Sequence, residues 1–108
     1  MTHTTISVAK DFSRAPAGRY LTDGPKSAEA FRETLLIPSL RKSNMVTVEL
    51  DGALGYSAVF LQEAFGGLVR HGFRAQDLQK RLAVKSSIKT YKNRIWVYIN
   101  ETDREMFG

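Results

Sequence analysis

The chain has no cysteine and only two histidines, three prolines and one tryptophan among its 108 residues. Without thiols there is no disulfide framework and no thiolate zinc site, and an intracellular setting is favoured. His3 stands at the terminus and His71 beside a helix stop, far apart in the chain, so no metal site is expected. No apolar run approaches the roughly 18 residues of a membrane-crossing helix. The first residues lack the basic-then-apolar pattern of a secretory signal. A soluble, cytoplasmic protein without membrane association is the expectation. Gly52 and Gly55 are not followed by a third phosphate-loop glycine or by Gly-Lys-Ser, which removes the common nucleotide-binding loops. No cofactor is expected, and no internal repeat or low-complexity segment is visible.

What is present is enough for one core. Hydrophobic residues make up 43% of the chain, and the length fits one domain over residues 1–108. The central stretch changes period halfway. Val46, Val48 and Leu50 alternate with Thr47, Glu49 and Asp51, as in a strand with one buried face. Asp51-Gly52 punctuates the chain. From Ser57 the apolar residues Leu61, Phe65, Leu68 and Val69 fall at helical spacing, with Gly55, Tyr56 and Ser57 at the helix mouth. Strand ends and helix starts are where α/β proteins meet ligands and partners.

Around this unit the remaining elements follow in order. Ile6 and Val8 suggest a first strand, and Arg19 to Thr22 a second, short one closed by Asp23-Gly24-Pro25. Ser27 suits a helix N-cap, and Ala28, Phe31, Leu35, Leu36 and Leu40 form the helix face. Pro38 should kink or end that helix near Ile37. Gly72 suits the residue just past the second helix. Residues 75–80 can form a helical turn. Residues 81–85 read as a strand with Leu82 and Val84 inward. Ser86 or Ser87 should cap a last helix with Ile88, Tyr91, Ile95, Trp96 and Ile99 on one face. The rival reading, a strand over 94–99, rests on dense β-branched and aromatic residues. The spacing from Ile88 onward favours the helix. The final residues, from Glu101, should fray. The expected architecture is α/β, with a mixed four-stranded sheet and about three helices.

The net charge of +5 is unevenly placed. Residues 1–69 are balanced. Residues 70–94 carry Arg70, Arg74, Lys80, Arg81, Lys85, Lys89, Lys92 and Arg94 against Asp77 alone. Such an excess is either a solvated face or a patch for an anionic partner such as nucleic acid or a phosphate ligand. Only Phe73 and Tyr91 interleave it, a thin stacking platform. Glu49 and Asp51 share one strand face, roughly 7 Å apart by the strand rise, but no nucleophile and base accompany them. Ser57 reads first as an N-cap, and no general base stands at a telling spacing from it. No catalytic residue is assigned, and a non-enzymatic protein is expected.

Several stretches together resemble a known family. These are Ile6-Ser-Val-Ala-Lys-Asp-Phe12, Gly18-Arg-Tyr20 with Asp23-Gly-Pro25, Phe31-Arg-Glu33 and Val46-Thr-Val-Glu-Leu-Asp-Gly52. Phe60-Leu-x-Glu-Ala-Phe-Gly-Gly-Leu68 and Ile95-Trp-Val-Tyr-Ile99 complete the set. They are similar to the STAS-like domains of unknown function, small bacterial and phage relatives of anti-sigma-factor antagonists. The resemblance implies a single cytoplasmic STAS-like domain that acts in regulation by binding a protein partner. In the better-understood relatives that partner is a histidine-kinase-like ATPase, which phosphorylates a serine at the start of the helix after the central strand. Switch-type relatives carry Asp-Ser there. In this chain Ala58 and Val59 precede Phe60, and the nearby hydroxyls are Tyr56 and Ser57. Ser57 is therefore the candidate phosphosite, and Gly55, Tyr56, Ser57 and Glu63 are the candidate partner-binding residues.

Overall fold

The computed structural model describes residues 2–108. Three parallel strands form one sheet in the order β1 (His3–Ser7), β2 (Met45–Glu49), β3 (Leu82–Lys85). Ile6 lies beside Val48 and Val48 beside Val84, while Val46 lies beside Leu82. These residues form the buried face. The opposite face carries Thr5, Thr47 and Ala83 in one row and Ser7, Glu49 and Lys85 in the next.

Three helical segments run without a gap as α1 over 28–42: Ala28–Phe31, Arg32–Leu36 and Ile37–Lys42. Three more make α2 over 58–70: Ala58–Leu61, Gln62–Gly66 and Gly67–Arg70. The middle segment of each is a wide turn with i→i+5 bonding. Then follow α3 (Ala75–Arg81) and the long α4 (Lys89–Phe107). Phe31, Phe60 and Phe65 are buried together where α1 meets α2, with ring centroids 6.2 and 6.3 Å apart. Ile95 and Ile99 bring α4 into the same core.

The expected mixed four-stranded sheet is corrected to three parallel strands, because residues 19–22 do not form one. The Asp23 carboxylate accepts from the N–H groups of Arg19 (3.1 Å) and Tyr20 (2.8 Å), and Glu29 accepts from Leu21 N–H (2.8 Å). Side chains thus take the donors a ladder would need, and Leu21–Asp23 closes as a 3₁₀ turn. Helix is correspondingly more extensive than expected, since 75–81 is a helix of its own. Pro38 does not end α1. The wide turn Arg32–Leu36 lies just before it and re-registers the carbonyls where proline offers no donor. The last residues do not fray. Thr102 is buried against α2, and Asp103 accepts from Ala75 N–H at 2.7 Å, capping α3 from 28 residues away.

Gly66 and Gly67 are explained by close approach on two sides. A Cβ on Gly66 would lie 3.1 Å from Thr102 Oγ1, and one on Gly67 would run into the Arg32 guanidinium. Gly72, with φ of 98°, closes α2 as expected. Phe73 N–H donates to Leu68 O and Gly72 N–H to Val69 O, the paired bonds of a Schellman motif.

Candidate functional site

The turn between β2 and α2 lies at the carboxyl end of the sheet and is held from several directions. Ser57 is the N-cap of α2, its hydroxyl accepting from Phe60 N–H at 3.0 Å, and it is exposed. Tyr56 is half-buried and packs inward. Its hydroxyl donates to Leu50 O at 2.7 Å, and its ring stands edge-on to Tyr91 at 5.3 Å and tilted to Phe60 at 5.8 Å. Burial, with Tyr91 and Asp51 beside it, pushes the Tyr56 hydroxyl well above the ordinary tyrosine range. Gly55 is half-buried, close to the Tyr91 hydroxyl.

Asp51 ties this turn to the end of β3. Its carboxylate accepts from Ser87 N–H at 3.0 Å and from the Ser87 hydroxyl at 2.9 Å. Ser87 is thus spent on Asp51. The residue that caps α4 is Ile88, whose side chain is 51% exposed rather than on the buried face. Trp96, placed on that face by spacing, is half-buried. Between the two loops lies a cleft of about 320 Å³ with Tyr56 and Tyr91 in its wall. Leu54 and Ile88 also line it, and Leu54 is 84% exposed. The Leu54 backbone is nonetheless pinned, its N–H donating to Arg14 O at 2.7 Å. Val59, in the first turn of α2, is exposed as well.

The fold does not bring Glu63 to this turn. Glu63 faces α1, where its carboxylate lies 2.8 Å from Arg32 Nη1. Arg32 also donates to Glu63 O, and it is 4% exposed. Glu33 accepts from Arg32 Nε at 2.9 Å, and Arg19 Nε stands 3.8 Å from Glu63. His71 is held by Gly67 O at 2.9 Å, next to Glu33. Exposed Leu54, Val59 and Ile88 were missed by periodicity, which looks for inward faces. The one signal available was a leucine standing between Gly52 and Gly55 in a loop.

The basic segment 70–94 is divided by the fold. Arg81 donates to the carbonyls of Leu40 and Ser43 and to Asp77, so it serves structure. Arg74 pairs with Asp103 and stacks 3.9 Å from the Phe107 ring. That pairing, with the Ala75 N–H, holds the Asp103 carboxyl below the usual carboxylate range. Lys80, Lys85, Lys89, Lys92 and Arg94 are exposed, as is Arg70. Lys89 opens α4 and Asp103 lies fourteen residues along it, about 21 Å by the helical rise. Among the described residues no group of three or more His, Cys, Asp or Glu is placed to hold a metal ion. No helix among them is long and apolar enough to cross a membrane.

Residues 27–92, more than half of the chain, match the model of the STAS-like domain of unknown function (DUF4325). The match takes in α1, β2, the turn, α2, α3 and β3. No curated protein and no solved structure matches.

Proposed function

The chain belongs to the family of STAS-like domains of unknown function, and from that premise we propose that it is a regulatory module that binds a protein partner at the β2–α2 turn. One observation carries the reading. Leu54 is 84% exposed on a loop whose backbone is tied to Arg14 O through its own N–H, so an apolar side chain is presented to solvent from a hydrogen-bonded stretch of backbone. Val59 and Ile88 add exposed apolar surface at the same end of the sheet. With the backbone already held there, docking has less of the chain to order. The partner proposed from the family resemblance is a histidine-kinase-like ATPase. Ser57, an exposed hydroxyl at a helix N-terminus, is the position where a phosphate would alter that surface most. Gly55 and Tyr56 support the turn from beneath, and Glu63 belongs to another surface.

The module reading is preferred to a catalytic one because the polar groups here are already engaged. Asp51 is bonded to Ser87, Tyr56 to Leu50 O and Ser57 to Phe60 N–H. A photo-crosslinking amino acid placed at Leu54, and at Val97 as an exposed control, tests the reading in the cell of origin. The expected result is one dominant adduct from position 54 and none from 97. No adduct at 54, or the same adduct from both positions, overturns it. In vitro, Ser57→Asp should keep the fold, since Asp caps as well as Ser, and should change partner affinity if Ser57 is the phosphosite.

A further inference from the structure

A second cleft, of about 390 Å³, lies on the α1–α2 side and is lined by Arg19, Tyr20, Gln62, Glu63 and Arg70. Its charge is not balanced. Glu63 is bound to buried Arg32 at 2.8 Å. Glu33 also serves Arg32. Asp23 and Glu29 are spent on the backbone N–H groups of Arg19, Tyr20 and Leu21. The carboxylates around the cleft are therefore committed, while of its two arginines Arg19 has only a long ion pair to the already engaged Glu63. Among the described residues Arg70 has no acidic partner. Arg19 Nε is buried without a hydrogen bond, its nearest carboxylate oxygen at 3.8 Å.

The turn that presents Arg19 is held by side-chain hydrogen bonds. Gly18 and Gly24 adopt positive φ on either side, of 96° and 137°, and the Asp23 carboxylate holds the backbone between them. Tyr20 and Leu21 are about half exposed there, with the Arg19 guanidinium 5.7 Å from the Tyr20 ring. Two guanidinium groups on one cleft suit an anion with several oxygens and more than one charge. We propose that this cleft is a phosphate-group site, with Arg19 and Arg70 as its ligands and Tyr20 as an apolar wall. This site is separate from the β2–α2 turn and does not depend on the docking proposed there.

Amide and arginine side-chain NMR spectra, recorded at constant ionic strength with inorganic phosphate and with phenyl phosphate, test it. Saturable shifts are expected at 19–23, 62–63 and 70. Arg70→Gln, at an exposed position, should weaken binding by about tenfold with an unchanged melting point, and Arg19→Gln should remove it. Tighter binding of phenyl phosphate, lost in Tyr20→Ala, identifies the source as an organic phosphate ester. Equal or weaker binding identifies free phosphate. Shifts that do not saturate, that persist in both arginine variants, or that chloride reproduces would overturn the proposal.

Discussion

The hydroxyl of Tyr56 donates to Leu50 O from a half-buried position. Tyr56→Phe should therefore lower stability by about 1 kcal/mol, the net contribution of one such bond, as read by urea denaturation. The same hydroxyl gives a pH dependence. Its pKa is raised in the folded chain, so the folded state keeps a proton that the unfolded state releases near pH 10. That contribution to stability is complete below about pH 10 and is lost as pH rises beyond it. Tyr56→Phe should flatten this alkaline loss, and equal slopes in both proteins would contradict the assignment. Phe60 is 1% exposed, and Phe60→Ala should cost roughly 3–5 kcal/mol. Trp96→Ala should cost less, because spacing placed Trp96 inward while the fold leaves it half-buried.

Between elements, α1 and α2 meet through an ion pair as well as through phenylalanines. Arg32 is 4% exposed, and its guanidinium occupies the space left by the missing side chain of Gly67. Arg32→Ala would strand Glu63 without its nearest cation, and the expected loss is about 3–5 kcal/mol. Gly67→Ala should also destabilise, by roughly 1–3 kcal/mol, although alanine is the better helix former. Thermal melts of both variants check this, and a Gly67→Ala protein more stable than wild type would show that Arg32 simply moves aside. The glycine pair was legible in the sequence as a close approach, but not what approached it, because Arg32 and Thr102 lie more than 30 residues away on either side. Local signals read well. Ser27 and Ser57 cap their helices, and Gly72 closes α2. Signals carried by distant side chains did not. The strand expected over 19–22 was lost to Asp23 and Glu29, and the end expected to fray was held by Asp103. Glu63 was placed with the turn by chain proximity, and its partner on α1 turned it elsewhere.

Across the whole molecule, the charge excess of 70–94 is not one free patch, since Arg74 and Arg81 are engaged with other groups and only Lys89, Lys92 and Arg94 of the segment lie on α4. Gel shifts with a DNA duplex at low salt should accordingly show weak, non-specific binding that disappears at moderate salt. Tight binding that survives salt would favour the nucleic-acid reading over the protein-partner one. The carboxyl end of the sheet is different, because the apolar side chains there share one end of the fold and one of them, Leu54, has its backbone fixed. The affinity of Leu54→Asp/Ile88→Asp for the protein captured by the crosslinker at position 54 tests that claim most directly. Both side chains are exposed, so the melting point should stay at the wild-type value while binding weakens by about 30-fold or more, the effect of losing interface anchors. Wild-type affinity in the folded double variant would contradict docking at this turn.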